Sequence, residues 1–67
     1  MWIVIADRNE ENHYINTNYI TSFKKDKEFE NTIIEQVDGT IVAKGNITGK
    51  LAEMLRKSGE IIARVGE

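Results

Sequence analysis

The spacing of apolar side chains between residues 46 and 59 predicts the one helix of this chain. We expect Asn46 or Thr48 to cap its first turn, because a short side-chain oxygen accepts a hydrogen bond from a free amide there. Gly59 is expected to end the helix, since glycine adopts the left-handed conformation of a helix stop without strain. The apolar stripe, which we expect to pack in a core, consists of Ile47, Leu51, Met54 and Leu55.

Short apolar runs separated by polar turns fill the rest of the chain and predict β-strands. The first run, residues 2–6, is apolar at every position, which is typical of a central strand covered on both faces. Residues 19–23 alternate instead, and Tyr19, Thr21 and Phe23 are expected on one face of their strand. The predicted strands cover residues 2–6, 13–16, 19–23, 31–37, 40–44 and 60–65.

Asp38 and Gly39 lie between two of these runs and predict a tight hairpin, because both residues tolerate the positive φ angles of a type I′ turn. This hairpin makes the sheet antiparallel. The last strand is expected either beside the N-terminal strand or against the same strand of a second copy. Residues 1–67 are therefore predicted to form a single α+β domain. Its small antiparallel sheet has about five to six short strands and is packed by the helix at 46–59.

The composition supports a small β-rich domain. Ten isoleucines and four valines against two leucines favour strands, since branched side chains suit a pleated surface. A domain of 67 residues buries only about 60% of the surface that its unfolded chain exposes, so we expect marginal stability. The absence of cysteine and the presence of one histidine exclude disulfides, thiolate zinc sites and histidine-rich metal clusters. We therefore expect stabilisation by association, as a homo-oligomer or with an obligate partner.

Targeting signals are not recognisable in the sequence. The first apolar run is five residues long, which is too short to span a membrane. It also lacks the basic flank and the cleavage region of a signal peptide. We predict a cytoplasmic protein that does not bind membranes.

No arrangement of side chains in the sequence predicts catalysis. A nucleophile needs a base and an orienting group within reach, and neither Ser22 nor Ser58 sits in a strand-to-helix elbow. A lone histidine such as His13 is more often a surface or strand residue than a general base. The acidic turn after residue 6 lacks the pattern of a calcium loop, and the glycines do not form a phosphate-binding loop. We predict a non-enzymatic protein with no catalytic residue, metal site or cofactor.

Nucleic-acid binding is an alternative that the charge distribution disfavours. Residues 1–43 carry a net charge of −4 and residues 44–67 a net charge of +2. Nucleic-acid binders usually gather positive charge on one face, because phosphate neutralisation supplies most of their affinity. The better candidate for such a patch is the helix side, with Lys44, Lys50, Arg56, Lys57 and Arg64.

Protein binding is the function that the sequence favours. A small sheet leaves edge strands that pair with another chain, and an aromatic residue such as Trp2 either anchors an interface or caps the core. We expect the protein to regulate a partner protein by occupying its surface with the sheet edge or the helix face. Binding of a small ligand between copies of a homo-oligomer is a further alternative. The candidate partner-binding residues are Trp2, Tyr14, Tyr19, Phe23, Lys50, Arg56 and Lys57.

The order of motifs along residues 3–56 resembles that of small bacterial FlbD-like proteins. The motifs are Tyr14-Ile15-Asn16, residues 19–23, Val37-Asp38-Gly39-Thr40 and then the helix. The resemblance implies a compact β-rich fold with a C-terminal helix and a regulatory, non-enzymatic role. The chain departs from that pattern at the helix start and in its further predicted strand. Its isoleucine-, lysine- and asparagine-rich composition is also typical of AT-rich bacteria, their phages and mobile elements, where small inhibitors of host proteins occur.

Overall fold

The structure is a computed structural model that describes residues 1–66. It confirms the expected α+β class, with five strands, one short 3₁₀ helix and one α-helix in that part of the chain. The elements in chain order are β1 (Trp2–Ala6), β2 (Asn12–Asn16), the 3₁₀ helix (Thr17–Tyr19), β3 (Ile20–Lys25), β4 (Asn31–Gln36), β5 (Gly39–Lys44) and α1 (Thr48–Lys57).

The strands form two antiparallel sheets instead of the one sheet expected from the sequence. β1 pairs with β2, and β3, β4 and β5 form a three-stranded sheet with β4 in the centre. An isolated bridge between Asp7 and Ala43 joins the two sheets just beyond the end of β1. There the Arg8 amide also donates to the Val42 carbonyl at 3.0 Å. The pairing of β1 with β5 stops at this point, so the sheet remains divided.

The core lies between the two sheets and α1. The buried apolar side chains are Ile3, Ile5, Ile15, Ile34, Ile41, Ala43 and Leu51. Leu51 comes from the predicted stripe of the helix, and Ile47 and Met54 pack against the core while remaining partly exposed. Packing of the helix stripe in the core is therefore confirmed for these three residues, whereas Leu55 lies outside the core cluster and lines a cavity. No helix within residues 1–66 is long and apolar enough to cross a membrane.

The prediction that β1 is covered on both faces is wrong. Ile3 and Ile5 are buried, whereas Trp2 and Val4 on the opposite face are exposed. In the described part of the chain, the helix and the second sheet both lie on the inner side of the β1–β2 pair. An uninterrupted apolar strand is thus left with one bare face, which is unusual because such strands are normally sandwiched.

The predicted facing of β3 is also wrong, because the strand contains a β-bulge. Ile20 lies opposite Gln36 while Ser22 lies opposite Glu35, so Thr21 is an extra residue in the ladder. A bulge of this kind reverses the side-chain alternation beyond it. As a result Ile20 and Phe23, three residues apart, both pack against the core.

The hairpin between β4 and β5 forms one residue earlier than predicted. Gln36 pairs with Gly39, which makes Val37 and Asp38 the two turn residues. Glu10 is the only non-glycine residue with positive φ among residues 1–66, so the turn is not the expected type I′. Gly39 instead follows the turn, with a φ of 156°.

The ends of α1 agree with the sequence to within two residues. The helix begins at Thr48, and the expected cap at Asn46 or Thr48 is wrong, because Ile47 holds the N-cap position without a side-chain hydrogen bond. The Asn46 side chain instead accepts hydrogen bonds from the Thr48 hydroxyl at 2.8 Å and its amide at 3.3 Å. Gly59 has a φ of 97°, and the amide that follows it donates to the Leu55 carbonyl at 2.9 Å. This is the glycine stop that was predicted.

The predicted last strand, residues 60–65, is absent from the part of the chain that the structure describes. Residues 60–66 lie in no regular secondary structure after the Gly59 stop. Ile61 and Val65 are almost fully exposed. A strand requires a neighbouring strand for its amides and carbonyls, and this segment pairs with neither sheet of its own chain within residues 1–66.

Candidate functional site

Large apolar side chains are exposed on the outer face of the β1–β2 pair and next to it. The exposed fraction is 69% for Trp2, 71% for Tyr14 and 54% for Tyr19. Val4 is also exposed and lies directly opposite Tyr14 in the ladder. Tyr19 follows shortly after β2, at the end of the 3₁₀ helix. Scattered apolar residues are ordinary on surfaces, but a contiguous group marks an interaction site.

Trp2, Tyr14 and Tyr19 line one open groove with a volume of about 500 Å³. We name it the aromatic groove. It runs between the first hairpin and the β4–β5 hairpin, and its volume falls within the range of about 300–1,000 Å³ that is common for binding pockets. The lining residues are Trp2, His13, Tyr14, Ile15, Asn16, Tyr19, Gln36, Asp38, Gly39, Thr40 and Ile41.

Backbone contacts join the two walls of the aromatic groove at its ends. The Val37 amide donates to the Tyr19 carbonyl at 3.0 Å, which ties the 3₁₀ helix to the second hairpin. The contact between Arg8 and Val42 ties the walls together beyond the end of β1. Between these contacts β2 pairs, among residues 1–66, with β1 alone. Four of its five residues line the groove, so the unpaired edge of β2 borders the cavity.

The electrostatic character of the aromatic groove suits a cation. Asp38 is the one carboxylate among the lining residues, and no lysine or arginine lines it. Glu35 lies next to the groove, where its Oε2 accepts a hydrogen bond from the Thr40 hydroxyl at 2.8 Å. Aromatic rings attract cations through their negative faces, most strongly in tryptophan. Aromatic surface and negative charge therefore favour the same kind of ligand group.

Asp7 and His13 form a side-chain pair beside the aromatic groove. The His13 Nε2 and Asp7 Oδ2 atoms are 2.7 Å apart. Asp7 Oδ1 also accepts hydrogen bonds from the backbone amides of Asn9 at 2.8 Å and Glu11 at 3.0 Å. The contact with His13, followed by the backbone bonds, lowers the pKa of the Asp7 carboxyl below its ordinary value of 3.8. The pair orders the β1–β2 turn, in which Glu10 adopts a φ of 64°.

We expect the Asp7 interactions to weaken the fold at acid pH. A carboxyl with a lowered folded-state pKa stabilises the protein above its unfolded pKa, and this contribution is lost as the pH falls through the folded value. Urea unfolding should therefore show a loss of stability as the pH falls below the ordinary carboxyl pKa of 3.8. The Asp7→Asn variant should lose less over that interval, because its amide does not titrate.

The Glu10→Gln variant is the matched control for this prediction. The Lys44 ammonium lies 2.9 Å from Glu10 Oε1 and, by its hydrogen bond, lowers the pKa of that carboxyl as well. Removing the Glu10 titration should leave the Asp7 contribution to the pH dependence in place. If wild type and Asp7→Asn lost stability in parallel, a stabilising role for the Asp7 carboxylate would be refuted.

The structure does not bring the other predicted partner-binding residues to the aromatic groove. Phe23 is half-buried and packs against the core. Lys50 lines a separate, mostly apolar cavity of about 260 Å³ between β1 and α1. Arg56 and Lys57 lie in the last turn of α1, where Lys57 forms a weak ion pair with Glu53 at 3.7 Å. The seven predicted partner-binding residues therefore divide into three that line the aromatic groove, one that packs against the core and three that lie on the helix.

Neither a metal-binding group among the described residues nor a similar known protein helps to assign a function to the site. Among residues 1–66 there is no group of three or more histidine, cysteine or acidic side chains that could hold a metal ion. Comparison with models of known protein families returned no match, and searches of curated proteins and of solved structures returned none either.

Sequence reasoning missed three features of the site. Asp38 was assigned only to a turn, although it supplies the carboxylate of the aromatic groove. Val4 was expected to be buried, but it is exposed because the core packs on the opposite face of β1, at Ile3 and Ile5. The pairing of Asp7 with His13 joins residues on both sides of a turn. Their six-residue separation across the acidic turn after residue 6 was the one signal available for it.

Proposed function

We propose that the protein is a small non-enzymatic binding module whose aromatic groove takes an extended segment of a partner protein carrying a basic side chain. The observation that carries the proposal is the coincidence of three exposed aromatic residues, one carboxylate and an unpaired strand edge in one cavity. Each of these features is a recognised element of protein-binding surfaces. The module would regulate its partner by occupying the bound segment.

The strand edge explains why the bound segment should be extended. An edge strand offers amides and carbonyls to a peptide that adds to the sheet, and the side chains beside it supply selectivity. β2 has this edge along the groove, and Ile15 and Ile41 lie under it as part of the core. Alternate side chains of an added strand would therefore meet the apolar floor and the aromatic wall in turn.

The aromatic residues and Asp38 explain why the segment should be basic. A guanidinium or ammonium group beside Trp2, Tyr14 and Tyr19 would gain cation–π attraction, and Asp38 would supply a counter-charge. Arginine fits better than lysine, because its planar group also stacks on rings and is less strongly hydrated. An acidic segment would meet repulsion from Asp38.

A catalytic role has less support than protein binding. The Asp7–His13 pair resembles part of a catalytic dyad, but its carboxylate also holds the turn amides of Asn9 and Glu11. Thr40 carries the one aliphatic hydroxyl among the residues that line the groove with His13, and this hydroxyl donates to Glu35. The pair therefore has a structural role in the turn and no activated nucleophile beside it within residues 1–66.

The nucleic-acid alternative is weakened by ion pairing on the helix side. Lys44 pairs with Glu10 and Lys57 pairs with Glu53. Two of the five basic residues of the proposed patch are thus partly neutralised. The aromatic groove carries the opposite sign of charge to the one that phosphate requires.

Trp2 is the only tryptophan of the chain, so its fluorescence reports directly on the aromatic groove. We expect a set of short, β-prone peptides with one central arginine to shift the Trp2 emission to shorter wavelength, because binding removes water from the ring. Peptides with a central lysine should bind more weakly, and those with a central glutamate should leave the spectrum unchanged. Equal responses to arginine and glutamate peptides would contradict the cation preference.

The Tyr14→Ala variant should bind the arginine peptide at least about tenfold more weakly, as truncation of an aromatic anchor typically does. Phe29→Ala is the matched control, because Phe29 is also an exposed aromatic residue and does not line the groove. It should bind as wild type does. Titration monitored by Trp2 fluorescence measures all three affinities. Unchanged affinity in Tyr14→Ala would refute the proposed binding site.

A further inference from the structure

Residues 60–66 include two apolar side chains that the described chain leaves almost fully exposed. Ile61 is 94% exposed and Val65 is 92% exposed. The segment Glu60-Ile61-Ile62-Ala63-Arg64-Val65 has the β-branched composition of a strand but no strand partner within residues 1–66. Exposed β-prone segments associate with other chains unless a strand edge takes them. We name residues 60–65 the C-terminal segment.

The position of the C-terminal segment leaves the aromatic groove of its own chain open. Residues 60–62 lie beside β3 and α1, where they line a cavity of about 230 Å³ with Thr17, Leu55 and residues 20–23. None of residues 60–66 lines the aromatic groove. One chain therefore carries both an acceptor, which is the open aromatic groove, and a donor, which is the C-terminal segment without a strand partner within residues 1–66.

The C-terminal segment has the properties that the groove selects. It is six residues long, and β2, which would pair with it, has five residues. In an extended conformation Ile61, Ala63 and Val65 share one face, and Arg64 lies on the other. The apolar face matches the floor at Ile15 and Ile41. Arg64 supplies the basic side chain that suits the aromatic wall and Asp38.

We infer that the aromatic groove of one copy binds the C-terminal segment of a second copy, which adds as a strand to the edge of β2 with Arg64 beside Asp38. This inference rests on the proposed function, because it names the occupant of the same groove. Every chain has one donor and one acceptor, so two copies close symmetrically by exchanging their segments. The protein is then a dimer whose grooves open only when the segments leave.

A mixing experiment with two full-length variants tests the exchange. The donor-deficient chain carries Ile61→Ser and Val65→Ser, two changes at exposed positions, and keeps Trp2 as the probe. The acceptor-deficient chain carries Trp2→Ala and is therefore free of tryptophan. Each variant alone should sediment as a monomer at concentrations where the wild type is a dimer. Mixing them should restore a dimer and shift the Trp2 emission of the first chain to shorter wavelength.

A charge exchange tests the predicted pair of Arg64 and Asp38. Arg64→Glu and Asp38→Lys should each weaken the dimer about tenfold, and the two changes together should restore most of the affinity. Arg56→Glu is the matched control, since Arg56 is an exposed arginine outside the segment and the groove. It should leave the dimer unchanged. Equal weakening by Arg64→Glu and Arg56→Glu would refute the specific contact.

The remaining outcomes separate this inference from the proposed function. If the wild type is monomeric at high concentration, the second copy is not the occupant of the groove. The same follows if the Trp2 emission responds to the changes in the C-terminal segment but not to dilution. In that case binding of arginine peptides by the donor-deficient chain would leave the proposed function standing. Failure of the peptides with that chain as well would refute both.

Discussion

Replacing Thr32 by valine is expected to lower the free energy of unfolding by about 1–3 kcal/mol. The Thr32 side chain is fully buried in β4. Its hydroxyl donates to the Gly45 carbonyl at 2.8 Å and accepts a hydrogen bond from the Ile47 amide at 2.8 Å. Valine has nearly the same shape, so the change creates no cavity and leaves a backbone carbonyl and an amide without their partner.

The Thr32 hydroxyl matters because it holds the connection between β5 and α1. Ile47 occupies the N-cap position of the helix without a side-chain hydrogen bond of its own. The Thr32 hydroxyl therefore pairs with the amide of the N-cap residue, as the N3 side chain of a capping box does. Loss of this contact should loosen the docking of α1 on the core, which Leu51 and Met54 otherwise maintain.

Urea unfolding of Thr32→Val, with Thr21→Val as the matched control, measures this effect. Thr21 is exposed, and its hydroxyl makes one long hydrogen bond of 3.3 Å to the Glu35 carbonyl. The control should change stability by no more than about 0.5 kcal/mol. Equal unfolding midpoints for the two variants would show that the buried hydroxyl contributes nothing to the fold.

Shortening Ile34 to alanine should cost about 2–5 kcal/mol. Ile34 is fully buried on the central strand of the three-stranded sheet, where it lies opposite Phe23 and Ile41. The substitution removes buried methyl groups and leaves a cavity that the flanking strands cannot close. A domain of this size has a total stability of only about 3–10 kcal/mol, so a large part of the protein should be unfolded at equilibrium.

The Ile61→Ala variant makes the same change of side chain at an exposed position. At concentrations low enough to keep the protein monomeric, its free energy of unfolding should differ from that of the wild type by less than about 0.5 kcal/mol. Circular dichroism of Ile34→Ala should show a reduced folded signal that returns in the milder Ile34→Val variant, for which the expected loss is about 0.5–1.5 kcal/mol. A fully folded Ile34→Ala protein would contradict the assigned core.

Local patterns in the sequence predicted most of the secondary structure. The helix and its glycine stop follow from spacing and from the conformational freedom of Gly59. Five of the six predicted strands form, because alternation and β-branched composition act over a few neighbouring residues. The bulge at Thr21 was not predictable in this way, since it depends on how β3 meets β4.

The candidate site could be predicted only in part. Trp2, Tyr14 and Tyr19 were selected because large aromatic residues at sheet edges favour interfaces, and the structure brings these three to one groove. Phe23 has the same chemistry, but the bulge turns it into the core. Lys50, Arg56 and Lys57 share only the helix, so their charge cannot act together with the aromatic residues.

The sequence by itself determined the helix and five of the six predicted strands, because those preferences depend on neighbours within about four residues. Only the tertiary structure decided that the sheet divides after the Asp7–Ala43 bridge and leaves one face of an entirely apolar β1 bare. It also decided that the C-terminal segment lacks a strand partner within its described chain. Strand pairing joins residues that are distant in the chain. Composition therefore makes a segment able to form a strand, but three-dimensional packing selects the strand with which it pairs.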